Sequence, residues 1–86
     1  MVGMLARSLC GHDKSQLYVI VKEDAEYVYL CDGKYKPLEK PKRKNKKHIQ
    51  VIKKYPQSSF VQEKIKQGNL KNEEMKRIIK EYILES

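Results

Sequence analysis

Eighty-six residues with a net charge of +8, two Cys, one Phe and no Trp make one small domain with a modest core. A chain of this size buries only about 60% of its unfolded surface, which leaves little apolar material for an enclosed substrate pocket and favours a small binding module over an enzyme. The longest apolar run, residues 17–21, is far short of the ~20 needed to span a bilayer, and the first nine residues lack the regions of a signal peptide. A cytoplasmic protein is therefore expected, with Cys10 and Cys31 reduced and packed as small hydrophobes.

The N-terminal half reads as short strands. Residues 4–9 form the first, ending at the turn Cys10-Gly11-His12-Asp13, whose tight connection calls for positive φ at Gly11. Residues 17–22 form the second and residues 26–31 the third, with Val28 and Leu30 on one face and Tyr27, Tyr29 and Cys31 on the other. Asp32-Gly33 is a two-residue hairpin signal, so a fourth strand is expected over residues 34–39, kept short or at an edge by Pro37. Residues 42–47, Lys-Arg-Lys-Asn-Lys-Lys, carry no apolar pattern and read as a charge-presenting loop outside the core. Residues 48–52 return as a fifth strand, and several short strands at this spacing point to a small barrel.

The C-terminal third changes period from two to 3.6. Ser59 with Gln62 has the spacing of a capping box and Gly68 supplies a stop, which predicts a helix over about residues 60–67. Asn72 is expected to cap a second helix with Glu73 and Glu74 in its first turn. Met75, Ile78, Ile79, Tyr82 and Ile83 fall on one stripe of that helix, to be covered either by the sheet or by a partner's groove. The chain divides into residues 1–54, the barrel with its basic loop, and residues 55–86, the helical extension.

Charge is concentrated rather than spread. Residues 34–54 hold ten Lys or Arg against one acid, Glu39, so nearly all of the chain's excess positive charge lies in one quarter of it. Focused charge suits a polyphosphate partner, since each phosphate neutralised releases condensed counterions, whereas a solvated lysine-rich linker is the plainer alternative. The interruptions by Tyr35, Leu38, Ile49, Val51 and Ile52 favour a structured, nucleic-acid-binding segment.

Gly3-Met-Leu-Ala-Arg7-Ser-Leu-Cys10-Gly11-His-Asp-Lys14, followed by Tyr18-Val19-Ile20-Val21, resembles a KOW motif: a strand, a glycine-bearing turn with a basic residue after it, and a second β-branched strand. Tyr27-Val-Tyr-Leu-Cys-Asp32-Gly33-Lys34 and Leu38-Glu39-Lys40-Pro41-Lys42-Arg43-Lys44-Asn-Lys-Lys47-His48 further resemble the small bacterial KOW-domain RNA-binding proteins, relatives of the KOW-barrel large-subunit ribosomal proteins of eukaryotes and archaea. The resemblance covers about residues 3–50, with the helical extension matching in outline. Ser15 departs from it, standing where the motif has a second glycine. The resemblance implies a mainly β fold, a small SH3-like (KOW) barrel of about five strands with a helical C-terminal extension, that binds ribosomal RNA or a ribosome-associated RNA. KOW barrels also occur in transcription elongation factors, which implies an alternative: a protein-interaction module using the barrel and the Met75–Ile83 helix face.

The expected phosphate contacts are Lys40, Lys42, Arg43, Lys44, Lys46 and Lys47, which as mostly lysines position a backbone rather than read bases. Lys34 and Lys36 belong to the same basic segment, with Tyr35 between them as a possible stacking platform, and His48 lies beside it. Arg7 and Lys14 flank the first turn and either join this face or are ordinary solvated charges. Cys10, His12, Cys31 and His48 are too scattered for a zinc site, having no Cys-x-x-Cys or paired His, so no metal and no cofactor are expected. No catalytic constellation is visible: acids cluster only at residues 23–26 and 73–74, a turn and a helix start.

Overall fold

A computed structural model describes residues 1–53 and 58–85. Lys54 and the expected domain boundary after it lie outside the described residues. Five strands, β1 (Leu5–Ser8), β2 (Leu17–Glu23), β3 (Tyr27–Cys31), β4 (Lys42–Asn45) and β5 (Ile49–Ile52), form one antiparallel sheet in the order β4-β3-β2-β1-β5. Two helices follow, α1 (Ser58–Gln67) and α2 (Asn72–Glu85). The chain is mainly β with a helical extension.

β2, β3 and β5 lie where the β-branched and aromatic runs predict them, and β1 lies within the first expected strand, before the Cys10–Asp13 turn. Gly11 has φ +86 in the β1–β2 connection, as that tight turn requires, and Ser15 adopts φ +75 without being glycine. The Ser15 N–H donates to the Ser8 carbonyl at 2.8 Å and helps hold that conformation.

The fourth strand is not at residues 34–39. The Asp32 carboxylate accepts the N–H groups of Lys34 (2.9 Å) and Lys36 (2.8 Å), winding the segment into turns instead of a hairpin arm. Gly33 serves another need: a Cβ built there would collide with the Asn72 carbonyl oxygen, so this glycine lets α2 start against the loop. The strand that pairs with β3 is Lys42–Asn45, the piece expected to be a loop. Its side chains alternate sides, and the two inward ones, Lys42 and Lys44, meet the Asp13 carboxylate.

A single 3-10 turn, Lys46–His48, joins β4 to β5, the two edges of the sheet. Such a link spans at most about 14 Å, whereas the edges of a flat five-stranded sheet lie about 19 Å apart, so the sheet is curled. It remains open between β4 and β5. Curling explains how Ala6, Tyr18, Ile20, Val28, Leu30 and Ile49, all from strands, bury one another without a second layer.

The other sheet face is covered by the helices. Leu5, Val19 and Cys31 pack with Val61 of α1 and with Met75 and Ile78 of α2. Burying Met75 and Ile78 contributes about 1.5–3 kcal/mol each. Ile79 and Tyr82 pack at the edge of this cluster, while Ile83 is 55% exposed, so the stripe is covered by its own sheet except at its end. Neither expected cap forms as predicted. Ser59 lies inside α1 and Gln62 donates to the Val2 carbonyl at 3.2 Å. Asn72 accepts from the Leu38 N–H at 2.8 Å and donates to Glu39, while Glu74 reaches back to the Lys71 N–H at 3.0 Å and starts the helix. Among the described residues, no helix is long and apolar enough to cross a membrane.

Candidate nucleic-acid interface

Among the described residues, the basic segment divides into cations with ion-pair partners and cations without. Lys44 sits across from Val28 on the inner side of the curled sheet, its side chain 9% exposed. Its ammonium donates to Ser8 Oγ (2.6 Å), the Cys10 carbonyl (2.8 Å) and Asp13 Oδ1 (2.7 Å), using all three protons. Lys42, two residues earlier on the same side, pairs with Asp13 Oδ2 at 2.8 Å. The carboxylate also accepts from Ser8 Oγ (2.9 Å) and the Tyr18 hydroxyl (3.0 Å). Burial opposes ionisation of Asp13, but the two lysines and two hydroxyls outweigh it and hold the carboxyl well below the usual range. Burial and the Asp13 charge push the Tyr18 hydroxyl above its ordinary value. Lys46 pairs with Glu23 at 3.0 Å, and Glu23 is lowered by the N-terminal amine and by Lys46. Lys42, Lys44 and Lys46 are thus ion-paired within the fold, and the expectation that residues 42–47 form a loop outside the core is corrected.

Arg43 points the other way. It pairs in register with Tyr29, and its guanidinium carbon lies 4.6 Å from the Tyr27 ring centroid. Lys47 and His48 are exposed on the 3-10 turn, Lys40 is exposed just before β4, and Lys14 is exposed in the β1–β2 turn. Lys36 is half-buried, its carbonyl accepting from the Asp32 N–H at 3.0 Å.

Arg7, Lys34 and Tyr35 meet in a groove of about 860 Å³ between the sheet and α2. Lys76 and Lys80 of α2 also line it, and its single carboxylate, Asp32, is occupied by the two backbone N–H groups of its own turn. The Arg7 guanidinium donates to the Ser15 carbonyl at 3.1 Å, Lys34 lies over the Tyr35 ring at 5.0 Å, and Tyr35 is 74% exposed. Ile79, Tyr82, Ile83 and Leu84 give the groove an apolar wall, with Leu84 73% exposed. Lys76 also pairs with Glu73 at 3.7 Å, so Arg7, Lys34 and Lys80 are the cations of this groove best placed to pair with phosphates while a base stacks on Tyr35.

Sequence reasoning missed Lys76 and Lys80, although their i,i+4 spacing beside the apolar stripe places them on one side of α2. It also missed Lys22, which lies over the Tyr29 ring at 5.2 Å. The four scattered Cys and His residues do not converge. Cys31 is buried with its thiol toward the Pro37 carbonyl (3.7 Å) and pushed up to about 12 by burial and by Asp32 and Glu39, and among the described residues no group of three or more Cys, His, Asp or Glu is arranged to hold a metal. No family model matches this chain, and no curated protein matches it.

Proposed function

We propose that this chain is a non-catalytic RNA-binding module whose curled sheet is an SH3-like barrel of the KOW type, acting on ribosomal RNA or a ribosome-associated RNA. The observation that carries the reading is the groove lined by Arg7, Lys34, Lys76 and Lys80 together with Tyr35, in which these four cations face one carboxylate, Asp32. Cations of this density attract a phosphate backbone, and Tyr35 offers a face to a base. The barrel reading is supported by the short β4–β5 link and by the Lys44 bridge from β4 across to β1 and its turn. The KOW reading is supported by the glycine conformation at Gly11 and by Ser15 taking the same sign of φ where the motif has glycine.

The triple variant Arg7→Ala/Lys34→Ala/Lys80→Ala tests the site. Its affinity for a ribosomal RNA fragment is expected to fall at least tenfold with the melting temperature little changed. An unchanged affinity sinks the groove as the RNA site. Sedimentation of the wild-type protein with ribosomes and their subunits tests the ribosomal assignment.

The exposure of Ile83 and Leu84 on the same groove supports a second reading, a protein partner docked on the end of α2. Salt separates the two, because RNA affinity falls steeply with ionic strength and apolar docking hardly responds.

A further inference from the structure

We infer that Arg43, seated on the Tyr27 ring, is a stacking platform for an unpaired nucleobase, so that the RNA is engaged here in a single-stranded segment; this rests on the RNA-binding reading above. Three features of the backbone build the platform. β4 alternates sides, and with Lys42 and Lys44 committed inward to Asp13, Arg43 is left on the outer face beside Tyr29. The pairing of β2 with β3 slips by one residue at Val21, so that Ile20 opposes Leu30 but Lys22 opposes Tyr29. This bulge turns Lys22 to the outer face, where its ammonium reaches the Tyr29 ring. Asp24 fixes the start of β3, accepting from the Tyr27 N–H at 2.8 Å and from the Tyr29 hydroxyl at 3.4 Å.

The chemistry then favours a base over a bare phosphate. A guanidinium is planar with two faces, and Tyr27 takes one. Arg43 is exposed and makes no ion pair among the described residues, so with the Tyr27 ring 4.6 Å to one side its guanidinium remains accessible to a base. Bases splayed out of single strands stack on such planes, whereas bases in a duplex are already stacked on each other. Lys22 stands beside the platform as a charge for the adjoining phosphate.

The test uses the full chain with two probes, a 12-nucleotide oligouridylate and a 12-base-pair RNA duplex, each fluorescein-labelled. Arg43→Lys retains the charge but not the plane, and is expected to weaken the single strand about tenfold while leaving the duplex and the salt slope unchanged. Tyr27→Leu is expected to weaken the single strand in the same direction, and Tyr27→Phe, which keeps the ring, to leave it as in the wild type. If Arg43→Lys binds the oligouridylate as the wild type does, or if both probes weaken equally, the platform is overturned while RNA binding stands. If the wild type binds neither probe, the RNA reading fails with it.

Discussion

Two neighbouring lysines, Lys44 and Lys47, lie three residues apart in the same basic run and have opposite roles. Lys44 is half-buried and gives all three ammonium protons to Ser8, Cys10 and Asp13, tying the edge strand β4 to the far side of the sheet. Lys47 is exposed on a 3-10 turn. Composition counts the two alike. Membership of the strand separates them: in β4 every second side chain faces the inside of a curled sheet where one carboxylate waits, and Lys47 lies beyond the end of β4. Charge density therefore overstates the basic surface open to an anionic partner, and some of it is internal structure.

The comparison breaks hardest at Lys44. Lys44→Ala leaves the buried Asp13 with Lys42 as its remaining cation, and the loss is expected to be about 1.5–3 kcal/mol by denaturant unfolding. The same change at Lys47 is expected to stay within about 0.5 kcal/mol. Equal effects at the two positions would erase the distinction between inward and outward lysines. A charge reversal spread over Lys42, Arg43, Lys44, Lys46 and Lys47 is accordingly expected to unfold the domain rather than only release RNA.

Acid provides the next probe. Asp13 in the folded state titrates well below its unfolded value of about 3.9, so its stabilising contribution is fully present above that value and is lost as pH falls below about 4. Glu23, also lowered, acts in the same direction. Thermal melting from pH 7 to pH 2 is expected to show this decline, and Asp13→Asn is expected to be less stable at pH 7 with a shallower acid limb. An acid limb as steep in Asp13→Asn as in the wild type places the sensitive carboxylate elsewhere.

The smallest effect sharpens the middle of the series. Lys46 and Glu23 pair with side chains 26% and 31% exposed, so solvent screens the pair. Lys46→Ala is expected to cost less than about 1 kcal/mol, between Lys44 and Lys47. A cost as large as that of Lys44→Ala would mean that the Glu23 cluster, not Asp13, holds β4 in place.

Much of the sheet was legible because β2, β3 and β5 carry β-branched and aromatic residues at strand spacing, and the alternation in β3 holds, with Val28 and Leu30 in one cluster and Cys31 in the other. β4 was not legible, since its strand state depends on Asp13, which is distant in sequence, neutralising Lys42 and Lys44 from across the sheet. The Asp32-Gly33 signal misled for a local reason: the Asp32 side chain captured two backbone N–H groups and closed a turn before any strand could start. Of the candidate site, Arg7, Lys34 and Tyr35 were named from the sequence and do come together, but Lys76 and Lys80 join them only through the docking of α2, which no local pattern encodes.

The salt dependence of RNA affinity tests the central claim most directly. The account predicts that log affinity falls linearly with log salt, and that Arg7→Ala/Lys34→Ala/Lys80→Ala makes the slope shallower by about two, at roughly 0.7 per phosphate contact on a single strand. A wild-type affinity indifferent to salt, or a slope unchanged in the triple variant, would contradict it.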